Sequence, residues 1–311
     1  MENNPVNNKG IALVITLLVL TLLIVLILEF NSGMRIEARA AANFRDDIKA
    51  YYLARSGVTF AMAVLEDDDK TDQNYDAFDE LWAQKLPPIP LGDGFVTVEI
   101  TDENSKINVN KMSTGFTSVT SENMRVLMGR YLKQFDLEED IANAIADWTD
   151  QDDLERMPGG AEGNYYGSLE DSYEAKNKPF DSLQELRLVK GLEGENYNKL
   201  NKFLTVHSDG WININTAGKE VLMSLSDNLA GEVADEIIAF RGENPFLAKL
   251  DIKNNISLSE DVYNEIGKFI DVKSNYFSIV SSGSVNQSQK TIRAEIMRQN
   301  NKAKIVYWRV E

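Results

Sequence analysis

Five carboxylates crowd one short stretch of this chain. Asp147, Asp150, Asp152, Asp153 and Glu162 fall within sixteen positions, around a Pro158-Gly159-Gly160 turn. Hard oxygen donors on a turn-rich segment suit calcium, which accepts six to eight oxygens in irregular geometry. The spacing is not that of an EF-hand: counted from Asp150, position five is Leu154 and position twelve is Ala161. The same residues also fit a solvated acidic loop, because runs of like charge usually face water. Other chemistry is poorly supplied. Cysteine is absent, which removes disulfides, thiolate metal sites and thiol nucleophiles, and His207 is the single histidine. A hydrolase needs a base or nucleophile set in a pocket, and no spacing supplies one, so the expectation is a protein that is not an enzyme.

Net charge narrows the partners. The 311 residues hold 49 Asp and Glu against 32 Lys and Arg, a formal charge of -17. The first ten residues contribute only Glu2 and Lys9, so their removal leaves that balance unchanged. An acidic body repels phosphate backbones, and no nucleic-acid partner is expected. Divalent cations remain compatible with it.

The elements that must position these groups begin at the N-terminus. Ile11 to Leu28 is an uncharged run of 18 residues interrupted only by Thr16 and Thr21. As a helix it spans roughly 27 Å at ~1.5 Å per residue, enough to cross a hydrocarbon core. A cleaved secretory signal is shorter and ends in a small-x-small site, whereas Glu29-Phe30-Asn31 follows here, so a retained anchor in membrane lipid is expected. Charge bias does not settle its orientation, since Arg35 and Arg39 outweigh Lys9.

Beyond the anchor, Phe44, Ile48, Tyr51, Val58, Met62 and Leu65 recur at helical spacing, which predicts that the helix continues with this stripe against a core. Glu66 to Asp69 are unfavourable at a helix C-terminus and read as a solvated loop. After a loop with Pro87, Pro88 and Pro90, Phe95 to Ile100 alternates as a strand, with Lys106 to Val109 as its expected partner. Tyr276 to Val285, Thr291 to Arg298 and Lys304 to Val310 predict three further strands, closing an antiparallel sheet made from both ends of the chain. Residues 111 to 272 between them read as a helical insertion. It carries a weak internal repeat. Ile107-Asn108-Val109-Asn110 parallels Ile212-Asn213-Ile214-Asn215, Ile141 to Trp148 parallels Val233 to Phe240, and Pro179-Phe180 through Phe203 echoes Pro245-Phe246 through Phe269.

Several of these stretches resemble known families. A short polar leader ending in Lys9-Gly10, followed at once by the apolar run from Ile11, resembles the class III signal of type IV pilins and pseudopilins. That resemblance implies cleavage by prepilin peptidase after Gly10, methylation of the new N-terminus at Ile11, a cytoplasmic leader and an external body. Pilins usually carry glutamate at the fifth mature position, which is Ile15 here; a buried carboxylate in lipid is costly without a partner, and a subunit with no neighbour above it has no use for one. Asn215-Thr216-Ala217 with the following helix resembles the helix-hairpin-helix class, with Val189-Lys190-Gly191-Leu192 as one candidate hairpin. Glu185, Glu193 and Glu195 crowd that hairpin, which favours a structural role.

Asp147-Trp148-Thr149-Asp150-Gln151-Asp152, Gly160-Ala161-Glu162 with Tyr165-Tyr166, and Leu183 through Gly191 together resemble the signature stretches of the general secretion pathway protein K family, minor pseudopilins of type II secretion. The missing glutamate at Ile15 agrees. The resemblance implies an α+β fold: a pilin-like long N-terminal helix on an antiparallel sheet, with a large inserted all-α domain of duplicated helix-hairpin-helix-like units. Its expected divisions are a leader (1–10), a transmembrane helix (11–30), the pseudopilin helix and first strands (31–110), the inserted domain (111–272) and the closing strands (273–311). It implies a subunit at the tip of the pseudopilus that nucleates assembly and helps export folded proteins across the outer membrane. The implied partners are the other minor pseudopilins of the I, J and H types, the major pseudopilin, the inner-membrane secretion platform and prepilin peptidase. The implied location is the inner membrane of a Gram-negative bacterium, single pass, with the body in the periplasm, and calcium is associated with the inserted domain. The rival reading is a tip subunit of a type IV pilus for adhesion or DNA uptake.

Overall fold

A computed structural model describes residues 8–69, 74–113 and 121–311. Residues 1–7 of the expected leader lie outside the described residues. In chain order the elements are α1 (Asn8–Asp68), β1 (Ile89–Leu91), β2 (Gly94–Asp102), β3 (Ile107–Asn108), α2 (Ser121–Lys133), α3 (Ile141–Thr149), α4 (Gly163–Gly167), α5 (Glu195–Leu200), β4 (Leu204–Thr205) and β5 (Ile212–Asn213). There follow α6 (Lys219–Ser224), α7 (Gly231–Glu243), α8 (Lys249–Asn255), α9 (Glu260–Ile266), β6 (Ile270–Asp271), β7 (Tyr276–Val285), β8 (Ser288–Gln299) and β9 (Lys302–Val310).

Helix α1 is 61 residues long with no proline inside it. Its first half is apolar and uncovered: the most hydrophobic 18-residue window has mean hydropathy 3.4 and none of it is buried. Thr16 and Thr21 donate their hydroxyls back to the carbonyls of Leu13 and Leu18, at 2.8 and 2.9 Å, so neither brings an unmet polar group into the run.

The second half of α1 lies on a five-stranded antiparallel sheet ordered β1-β2-β7-β8-β9. Contact is made through small residues. Ala50, Ala54, Val58, Ala61 and Leu65 are buried, and a Cβ added at Gly57 or Gly283 would fall on Ser281 Oγ or on the Ala50 carbonyl. The stripe expected to face the core is thereby corrected: Val58 and Leu65 are buried, Tyr51 and Met62 are half-buried, but Phe44 is 68 % and Ile48 42 % exposed. Large side chains there would hold the helix away from the strands, and the close approach selects alanine and glycine instead.

Two further expectations are corrected. Glu66 to Asp68 complete the last turn of α1, and Glu66, Asp68 and Asp69 are held by cations and backbone donors, while Asp67 is exposed as expected. Asp68 pairs with Arg298 at 2.6 Å, Asp69 with Lys273 at 2.8 Å, and Glu66 Oε1 accepts from the Ala303 N–H at 3.0 Å. The second is the partner of β2, which is β7, with Phe95 opposite Ser284 and Asp102 opposite Phe277. Ile107 and Asn108 instead leave the sheet, because both are buried and do not alternate, and they pair in parallel with Leu204 and Thr205. The proline-rich loop also contributes β1, an edge strand, which is where proline is tolerated. At the other edge, Lys302, Lys304 and a register shift beside Glu295 and Ile296 blunt β9.

The inserted segment has its own hydrophobic core, separate from that of helix and sheet. Its two Ile-Asn-x-Asn stretches are used alike. Ile107-Asn108 and Ile212-Asn213 each form one strand of a parallel pair. Asn110 accepts from the Phe180 N–H at 2.7 Å and donates to its carbonyl at 3.1 Å; Asn215 does the same to Phe246 at 2.9 and 3.0 Å. Buried polar groups join this segment to the sheet. Asn213 and Thr216 donate to Asp102 of β2 at 3.1 and 2.5 Å; Ser274 donates to the same carboxylate at 2.7 Å, and Arg298 of β8 bridges Asp68 and Asp76 beside it.

Candidate cation site and helix face

Helix α3 carries the inserted segment's acidic site. Asp147 lies on its last turn and Asp150 caps its C-terminus, while Glu162 caps the N-terminus of α4 across the Pro158-Gly159-Gly160 turn. Ligand-capable oxygens of Asp147, Asp150 and Glu162 lie within 4.8 Å of one another, and all three residues are buried. Gly160 is required because the backbone passes against Asp147, so that a Cβ would fall on its carboxylate. The Ala161 N–H donates to Asp147 Oδ2 at 2.9 Å, and Trp148, Tyr166, Tyr173 and Phe180 pack beside the site with ring centroids 5.1 to 6.4 Å apart.

Hydrogen bonding there is incomplete. Both oxygens of Glu162, which is 3 % exposed, and Asp150 Oδ1 are buried without a partner. Burial and then the neighbouring Asp147 and Asp150 push the Glu162 carboxyl up to about 8, and burial also raises Asp150. Unpaired buried carboxylates are costly, and a hard cation would relieve that cost.

Of the five acids singled out in the sequence, three converge. Asp152 and Asp153 are exposed: Asp152 accepts from the Leu154 N–H at 2.9 Å and Asp153 from Asn177 Nδ2 at 2.9 Å. Asp153 does line a cavity of about 440 Å³ with Glu162, Asn164, Glu174 and Asn177. Arg156 and Asn177 were not singled out by sequence reasoning. Arg156 bonds Asp147 and Asp150, and Asn177 Oδ1 is buried without a partner.

Other candidates take structural places. Lys190 of the proposed hairpin donates to the Gly160 carbonyl at 3.0 Å and lies 4.8 Å from the Tyr165 ring centre. His207 is half-buried, its pKa lowered by burial, with its ring 6.0 Å from that of Tyr307. It lines a cavity of about 350 Å³ where the insertion meets the outer sheet face, together with Glu103, Lys106, Asp181, Arg293, Glu295 and Arg309. Gly10 and Ile11 lie in the first turns of α1, and Ile15 is exposed. On the body half of α1, Phe44, Ile48 and Tyr52 form an exposed stripe at i, i+4, i+8, flanked by exposed Arg39, Arg45 and Arg55.

A membrane-length helix that continues as the spine of an antiparallel sheet, with a helical head inserted between the first and last strands, defines a pilin-type subunit. Residues 105–209 and 212–273, together more than half of the chain, match two family models described as "Type II secretion system (T2SS), protein K". The chain belongs to the type II secretion system protein K family. It is 26 % identical over 301 residues to type II secretion system protein K of Pseudomonas aeruginosa, covering 93 % of this chain and 89 % of that protein. Against the Aeromonas hydrophila protein of the same name it is 26 % identical over 306 residues, covering 93 % and 92 %. The fold is similar to one in the crystal structure of the GspK-GspI-GspJ complex from enterotoxigenic Escherichia coli, with a TM-score of 0.70, 20 % identity, and coverage of 88 % of this chain and 99 % of that one.

Proposed function

We propose that this minor pseudopilin caps the tip of the type II secretion pseudopilus, nucleating its assembly and helping folded proteins leave across the outer membrane. The carrying observation is the pairing of Ile15, where pilins place glutamate, with an inserted head of about 160 residues beyond the sheet. A subunit whose anchor offers no carboxylate to a neighbour's N-terminus, and whose head fills the space above, is built to have nothing added on top. Prepilin peptidase would cut between Gly10 and Ile11 and methylate Ile11, leaving α1 anchored in the inner membrane with the head in the periplasm of a Gram-negative cell.

The exposed Phe44-Ile48-Tyr52 stripe supports docking to other minor pseudopilins. The structurally similar complex joins GspK to GspI and GspJ, which favours the I and J types as those partners. Contacts with the H type, the major pseudopilin and the inner-membrane platform belong to the same assembly.

The acidic site fits calcium. Asp147, Asp150 and Glu162 would hold it, with Asp153 and Asn177 lining the adjoining cavity. The ion would neutralise the buried carboxylates and tie α3 to α4; it is a structural role, and no reaction is assigned to the protein. The functional test is Ile15→Glu. This account expects the variant to be misplaced in the fibre and secretion to fall, and secretion at the wild-type level with the variant incorporated along the shaft would refute it.

A further inference from the structure

The segment between Asp150 and Pro158 brings a cation of its own to the acidic site. Arg156 Nη1 donates to Asp147 Oδ1 at 2.7 Å and also to Asp150 Oδ2, while the Arg156 N–H donates to Asp147 Oδ2 at 3.1 Å. One guanidinium thus covers an oxygen of each of two carboxylates that converge with Glu162. It does not serve Glu162, whose two oxygens stay buried and unpartnered, nor Asp150 Oδ1. One positive charge faces three carboxylates, so the set remains short of balance.

A divalent ion ligated by Asp147 and Asp150 would sit against the same two carboxylates as the guanidinium. At that separation, inside a buried site, the two positive charges repel strongly. Arg156 has a way out. Its side chain is 22 % exposed, and Leu154 and Met157 on either side are 76 % and 77 % exposed, so no apolar packing fixes the segment. Its fastenings to the rest of the fold include Arg156 and the bond from Asn177 Nδ2 to Asp153. Asp152 and Glu155 of the same segment are exposed, so a guanidinium released from the site enters water on an acidic surface.

We infer that Arg156 is a built-in competitor for the divalent ion: it holds Asp147 and Asp150 in the ion-free protein, and ion binding expels its side chain into solvent. The inference rests on the calcium reading of the site. Its consequence is a head whose acidic loop is tethered from within at low calcium and presents Arg156 outward at high calcium, between the already exposed Leu154 and Met157.

The test is calorimetric titration of calcium into the full chain in detergent, comparing wild type, Arg156→Gln and Glu162→Gln. Arg156→Gln should bind at least about tenfold more tightly than wild type, about 1.4 kcal/mol, and Glu162→Gln should bind more weakly. If Arg156→Gln binds no more tightly than wild type, competition is wrong while the calcium site stands. If neither protein takes up calcium, the site reading fails and the inference with it. A measurement on wild type alone guards against a misfolded variant. Trypsin cleavage after Arg156, normalised to a peptide substrate, should quicken with calcium, and unchanged or slower cleavage overturns the inference.

Discussion

Glu295 shows what a half-buried carboxylate does to this fold. It sits on the outer sheet face beneath the insertion, with Oε2 unpartnered, and burial followed by the nearby Glu103 pushes it up to about 8. Lys106 and Arg293 oppose that shift, and Asp181, His207, Tyr307 and Arg309 line the same cavity. A carboxyl raised above its unfolded value stabilises the fold below the unfolded value, and that contribution is lost as pH rises through about 8. Thermal melts should therefore show wild type losing stability relative to Glu295→Gln between pH 6 and pH 8.5, by no more than about 1.4 kcal/mol per pH unit for one proton. Parallel pH curves for the two proteins would show that Glu295 titrates normally. At this scale the sequence was only partly legible. The acidic run around the glycine turn raised the expectation of a cation site, but not which acids turn inward. Asp152 is spent on the Leu154 N–H, Asp153 on Asn177, and Arg156 folds back from between exposed neighbours, none of which spacing encodes.

Between elements, the tightest constraint is the approach of α1 to the sheet. Gly283→Ala would drive a Cβ into the Ala50 carbonyl, which cannot move without the helix, whereas Gly33→Ala meets nothing within 4 Å. The first should cost about 1 to 3 kcal/mol by chemical denaturation, and the second should be neutral or stabilising by roughly 0.5 to 1 kcal/mol. Equal effects would mean that the two layers are not in close contact. The repeat supplies a second prediction. Asn110→Ala and Asn215→Ala each leave a buried Phe N–H and carbonyl unmet, so each should cost about 1 to 3 kcal/mol. With separate partners their costs should add to within about 0.5 kcal/mol. The repeated Ile-Asn-x-Asn was visible in sequence because the second asparagine of each copy meets both backbone groups of a phenylalanine. The strand pairing of Ile107 was not, because a two-residue parallel ladder buried on both faces leaves no alternation to read. The helical stripe misled for a related reason: periodicity finds the large apolar residues, and here close packing assigns the buried face to small ones.

For the whole molecule, the long helix, the sheet closed by both ends of the chain and the helical head were all legible, since each has a long-range signature: an uncharged 18-residue run, strand segments at both ends of the chain and an internally repeated insertion between them. What the sequence did not show was that Phe44 and Ile48 belong to the outward face of α1, because an exposed apolar stripe has the same periodicity as a buried one. That face carries the account's central claim, that the chain joins sister minor pseudopilins through α1 while the head stays above them. The chain has no cysteine, so single introduced thiols report without background. The decisive measurement is disulfide cross-linking in cells that also express cysteine-scanned minor pseudopilins, using Phe44→Cys, Ile48→Cys and, on the head, Leu154→Cys. Cross-links to those pseudopilins from positions 44 and 48 and not from 154 are the predicted result. Cross-links from the head alone, with the α1 face silent, would contradict it.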